Sequence, residues 1–97
     1  MRNLTIKKTD KLSEMIKSRY TKIHGHVARR IKGFRKKNGL TQKNLGSLLG
    51  LTQSQISKIE NLEHIVNVVE LCLIADALNV NITDFFQKET LKKNVKE

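Results

Sequence analysis

Apolar positions along the chain recur mostly at helical spacing. Leu12, Met15, Ile16, Tyr20 and Ile23 fall on one stripe, which predicts a helix over 10–23. Residues 1–8 have no such pattern and read as unstructured. Gly25, between His24 and His26, reads as a stop. Val27, Ile31 and Phe34 then set a helix over 26–37, with Lys36 and Lys37 at its negative end and Asn38-Gly39 as its cap. Thr41 is placed to cap a helix carrying Leu45, Leu48 and Leu49, closed by Gly50. Thr52 with Gln55 three residues on is a capping-box signal for the next helix, with Ile56 and Ile59 inward. Asn67 with Glu70 repeats the signal for a helix over 67–78, and Thr83-Asp84 opens a last one carrying Phe85 and Phe86. On the 67–78 helix, Val68, Leu71, Cys72, Ala75 and Leu78 gather as the core face. Val69 and Leu73 fall away from it. The fold class expected is all-α.

Composition supports that class and bounds the function. The 97 residues include no proline and suffice for one small core. A single cysteine excludes an internal disulfide and a multi-cysteine zinc site. The longest apolar run, residues 71–75, is too short to cross a bilayer, and the basic N-terminus lacks the apolar stretch of a signal peptide. A cytoplasmic protein is expected. No nucleophile has a base at motif spacing and no glycine-rich phosphate loop occurs, so neither an enzyme nor a cofactor is expected.

The net charge of +10 favours a polyanionic partner through release of counterions from phosphates. It is unevenly spread: residues 1–37 hold 13 basic and 2 acidic side chains, residues 38–87 hold 2 and 5. Lys7, Lys8, Lys11, Lys17, Arg19 and Lys22 make a basic arm suited to phosphates. Three parts follow: a basic extension over 1–25, a compact domain over 26–87 and a polar tail over 88–97.

Two short helices meeting at Gly50 carry the chemistry. The apolar set Leu45, Leu49, Leu51, Ile56 and Ile59 would lock them at a fixed angle, the helix-turn-helix arrangement, which leaves the second helix free to enter a DNA major groove. With Ile56 and Ile59 inward, Ser54, Ser57, Lys58 and Asn61 point outward and Gln53 stands at the exposed start. Gln can read adenine bidentately, and Lys can donate to guanine O6 and N7.

Residues 26–86 resemble the lambda-repressor-like helix-turn-helix domain, the five-helix xenobiotic-response-element type. The resemblance rests on Gly39-Leu40-Thr41-Gln42, Leu45, Gly50, Thr52-Gln53, Ile56, Ile59-Glu60-Asn61, Leu71, Ala75 and Leu78. It implies a DNA-binding transcriptional regulator acting as a repressor, with the N-terminal helix as an addition to the family fold. It implies that Gln42 and Gln53 lie side by side at DNA, the first supporting a phosphate contact and the second reading a base. Ser54 and Lys58 would face base edges and Asn61 a phosphate. An ion pair between Arg35 and Glu60 would tie the first domain helix to the loop after the recognition helix. The DNA-binding set expected is Gln42, Thr52, Gln53, Ser54, Ser57, Lys58 and Asn61. The sequence departs from the family at Gly46, where alanine is usual, at Leu62-Glu63, where Gly-Lys is common, and at Val66, where proline is frequent.

A homodimer on paired half-sites is expected, with Phe85, Phe86 and Leu91 at its interface, since two adjacent phenylalanines cannot both face one small core. An antitoxin that binds a toxin protein and represses its own operon is the alternative function, and a restriction–modification controller differs from the first reading only in the gene regulated. His24, His26 and His64 have no ligand spacing and read as surface histidines. Cys72 reads as a packed core thiol. The 10–23 helix is expected to dock Leu12, Met15, Ile16 and Tyr20 on a surface including Val69 and Leu73, in the same chain or in a dimer mate.

Overall fold

The computed structural model describes residues 2–87, with side chains from residue 11 onward. Four α-helices and one 3-10 turn follow in order: α1 (Arg2–Lys37), α2 (Gln42–Leu49), α3 (Gln53–Glu60), α4 (Val68–Leu78) and the turn Ile82–Phe86. No strand occurs among the described residues, as the all-α expectation requires. The count differs from five helices preceded by a separate N-terminal one, because the fifth element is a 3-10 turn and the extension is no separate helix.

The extension and the first domain helix are one continuous rod of 36 residues, about 54 Å at 1.5 Å per residue. The expected break at Gly25 is absent, and residues 2–8 are helical. A glycine inside a helix costs about 1 kcal/mol but ends it only where the chain turns left-handed and loses its ladder. Gly25 is buried within the rod, flanked on both sides by residues that sustain helix. The true end is at Asn38-Gly39, where the Leu40 N–H donates to the Arg35 carbonyl at 3.0 Å.

The core forms where the second half of α1 meets the other elements. Val27 and Ile31 of α1, Leu45 of α2, Ile56 and Ile59 of α3, Leu71, Ile74 and Leu78 of α4 and Phe85 of the turn pack together. Burying such a side chain contributes about 1.5–3 kcal/mol, so this cluster is the main source of stability. Thr41, Thr52 and Asn67 cap α2, α3 and α4, each paired with the side chain three residues on. Gly50 ends α2 at φ 72°, a left-handed conformation that glycine adopts without a Cβ penalty. Gly46 serves packing: a Cβ there would lie 2.6 Å from the Leu51 carbonyl oxygen, so only glycine lets α2 lie this close to the turn.

Several expectations about packing are corrected. The buried side of α4 is Leu71, Ile74, Ala75 and Leu78, whereas Val68 is 73% exposed and Cys72 is exposed rather than a core thiol. Five apolar residues in a row, 71–75, blur the stripe, and the first turn of α4 keeps Val68 and Val69 at the surface. Leu48 is exposed too. The last element begins after Asn81, not at Thr83, because the Asp84 carboxylate accepts from the Asn81 N–H at 3.0 Å. Phe85 is completely buried, edge-on to Phe34 with ring centroids 5.8 Å apart, so it is not available to an interface. Phe86 is exposed, and Leu91 lies outside the described residues.

Nor does the rod fold back on any other described residue. Leu12, Met15, Ile16 and Tyr20 are exposed, as are Val69 and Leu73. The histidines are not all plain surface groups. His26 Nε2 lies 2.7 Å from the Gln87 carbonyl, and His24 Nε2 is enclosed without a hydrogen-bond partner. Among the described residues no cluster of three or more His, Cys, Asp or Glu could hold a metal, and no helix is long and apolar enough to cross a membrane.

Candidate nucleic-acid interface

Helices α2 and α3 are held in register by their caps and by one side of each. Ile56 and Ile59 fix α3 to the core, which turns its other side to solvent. Gln53, Ser54, Lys58 and Asn61 are exposed there and Ser57 is partly so. The outward set of the sequence reading thus lies on one accessible helix face. Thr52 is occupied locally: its hydroxyl accepts from the Gln55 N–H at 3.1 Å, so its contribution is to start α3. Asn61 ends α3 and donates from Nδ2 to the Ser57 hydroxyl at 3.2 Å, which orients both side chains at the end of the face.

A hydrogen-bonded chain runs from the core to this face. Arg35, only 7% exposed, donates Nε to Glu60 Oε2 at 2.7 Å and Nη2 to Glu60 Oε1 at 3.1 Å, a bidentate ion pair. Arg35 Nη1 also donates to the Leu40 carbonyl at 2.8 Å. Glu60 Oε1 then accepts from Gln42 Nε2 at 3.0 Å, and Gln42 Oε1 accepts from Gln53 Nε2 at 2.6 Å. Each step fixes the amide orientation of the next. Gln42, at the start of α2, and Gln53, at the start of α3, are therefore side by side and pre-set before any ligand arrives. The adjacency of the pair is the one the family resemblance implies, whereas the bond by which Glu60 anchors Gln42 has no signal in the sequence.

Lys43 was also missed. It is exposed on the first turn of α2, next to Gln42. The signal is in the sequence: Lys43 and Lys58 are the sole Lys or Arg residues between residues 38 and 87, and they fall on the two helices of the motif. Such a face, with amides, hydroxyls and two cations on a rigid pair of helices, can hydrogen-bond base edges and phosphates without rearranging. It contains no group positioned for covalent or acid–base chemistry.

A family model described as Helix-turn-helix matches residues 31–85. An uncharacterized HTH-type transcriptional regulator of Rickettsia conorii is 33% identical over 66 residues, 68% of this chain and 53% of that protein. Control protein C.SmaI of Serratia marcescens is 29% identical over 66 residues, 68% of this chain and 79% of that protein. The crystal structure of a mutant of the restriction–modification controller protein C.Esp1396I aligns with TM-score 0.62 and 31% identity, covering 77% of this chain and 97% of that one. The chain spans about half the length of the rickettsial regulator it matches.

Proposed function

We propose that this chain, which belongs to the helix-turn-helix family, binds a specific duplex-DNA operator and acts there as a transcriptional repressor. Helix α3 enters the major groove, with Gln53, Ser54 and Lys58 at base edges. Gln42 and Asn61 meet the backbone, joined by Lys43 and by the N-terminus of α2, where backbone N–H groups favour phosphate. One recognition helix spans few base pairs, so the chain works as a homodimer on two half-sites about 34–36 Å apart.

The observation that carries this reading is the chain of hydrogen bonds Arg35–Glu60–Gln42–Gln53. It uses a buried ion pair to orient a half-buried glutamine, Gln42, and through it an exposed one, Gln53. A polar surface without a ligand needs no such support.

Selection of bound duplexes from a random pool tests it. The expected result is a recurring two-fold symmetric site, protected from cleavage by the protein at low micromolar concentration or below. Uniform affinity for every duplex, steep only in salt, overturns it.

The restriction–modification controller reading is the specific form that two of the relatives favour, since both carry controller names. The toxin-binding alternative draws no support from any of the three. A controller would bind upstream of its own gene and change transcription of a neighbouring nuclease gene; transcript measurement with and without the protein decides that point.

A further inference from the structure

The first half of α1 carries an exposed apolar stripe that no other described residue covers. Leu12, Met15, Ile16, Tyr20 and Ile23 are 45–58% exposed. The stripe repeats at eleven residues, Leu12 with Ile23 and Ile16 with Val27, close to the true helical period, so it stays on one line along the rod. Its lower end, Val27, enters the core. Where the rod leaves the body, an apolar groove opens between Tyr20 and Ile23 on one side and Ile65, Val68 and Phe86 on the other.

We propose that two copies of this chain pair antiparallel through α1, the residue 12–16 stretch of each rod seated in the groove of the other. The proposal deepens the homodimer reading above and rests on it, but not on DNA binding.

Three observations select a second copy as the occupant. The first is reach. A continuous rod puts Leu12 about 16 Å from Ile23, so a chain cannot seat its own arm in its own groove. A two-fold partner can, because the same patch then meets itself reversed. The second is area. The eight side chains Leu12, Met15, Ile16, Tyr20, Ile23, Ile65, Val68 and Phe86 are about half exposed or more, roughly 100 Å² each, which gives about 800 Å² per partner, the size of a standard stable interface. The third is charge. Residues 11–22 hold Lys11, Lys17, Arg19 and Lys22 against Glu14, whereas residues 61–87, beyond the ion-paired Glu60, hold four acidic side chains and no Lys or Arg. An arm laid on the partner's body brings opposite signs together.

Sedimentation velocity without DNA tests the pairing. The wild type is expected as a dimer at micromolar concentration. Ile16→Glu and Phe86→Glu should each weaken it about tenfold or more, with the helical circular-dichroism spectrum kept, while Leu48→Glu, on an exposed apolar residue of α2, leaves it unchanged. A positional test removes dependence on those variants. In a Cys72→Ser background, a Leu12→Cys protein mixed with a Val68→Cys protein should oxidise to a mixed disulfide dimer.

A monomeric wild type, a dimer that survives both charge substitutions, or mixing that yields no mixed disulfide overturns the proposal. Loss of operator binding with the dimer intact overturns only the DNA reading.

Discussion

Gln53 donates from Nε2 to Gln42 Oε1 at 2.6 Å, so the first residue of α3 is steered by the first residue of α2. The bond leaves Gln53 one amide proton and its carbonyl for a base edge. Gln53→Ala is expected to cost about 1–3 kcal/mol on the preferred operator and to relax preference at one base pair. Gln42→Ala should act in part through Gln53, so the two losses should not add. Fluorescence anisotropy against a panel of single-base operator variants measures both.

The ion pair behind those glutamines is nearly dry, with the Arg35 and Glu60 side chains 8% and 1% exposed. Removing one partner strands a charge, at a cost of about 3–5 kcal/mol. Removing both should cost less than the sum. A double-mutant cycle of urea unfolding checks it, and additivity would mean that the pair has no mutual energy.

At Gly46 a helix-propensity argument and a packing argument oppose each other. Alanine would gain about 1 kcal/mol of propensity inside α2. Its Cβ would also meet the Leu51 carbonyl oxygen at 2.6 Å and the Thr52 carbonyl at 3.2 Å, both backbone atoms of the turn. Backbone cannot swing aside as a flexible side chain can, and overpacking of this kind costs about 1–3 kcal/mol. Gly46→Ala is therefore expected to lower the melting temperature and, by shifting α3 against α2, to weaken operator binding as well.

The caps explain why so much of the motif was legible in the sequence. Thr41, Thr52 and Asn67 each announce a helix start, and all three act as caps. Gly50 announces the turn between α2 and α3. The errors came where sequence signals are degenerate. Gly25 carries the letter of a stop but lacks a left-handed turn, and the run 71–75 offers apolar residues in every direction. The Gln42–Glu60 bond joins residues 18 apart, a long-range choice among several amide partners that periodicity does not encode.

Glu70 gives stability a pH dependence. Its carboxylate accepts the Asn67 N–H at 2.9 Å and lies 3.1 Å from His64 Nε2. The backbone bond first, and the histidine second, hold its pKa below the ordinary value near 4.5. A lowered carboxylate pKa adds stability that is full above the unfolded value and is lost as pH falls through the folded one. Glu70→Gln keeps an acceptor for the cap but does not titrate there. The stability advantage of the wild type over Glu70→Gln should therefore shrink below about pH 4.5, read as converging melting temperatures in acid.

Leu62 stands in a conformation that its side chain resists. Its φ is 67°, and the turn after α3 holds it there: the Leu62 N–H donates to the Ile59 carbonyl, and those of Glu63 and His64 to the Lys58 carbonyl. A Cβ in the left-handed region costs about 1–2 kcal/mol, which accounts for the preference of related domains for glycine at this place. Asn79, at φ 60°, escapes most of this cost because asparagine tolerates the region. Leu62→Gly relieves the strain but loosens the unfolded chain by about 0.5–1 kcal/mol and gives up a half-exposed side chain. The net gain expected is small, below about 1 kcal/mol, and a single variant would not isolate its cause. Leu62→Ala provides the contrast, since it also deletes the side chain but keeps the Cβ. The glycine variant should exceed the alanine variant in urea-unfolding stability by about 1 kcal/mol. Equal stability would mean that the turn relaxes to a negative φ when the leucine is removed.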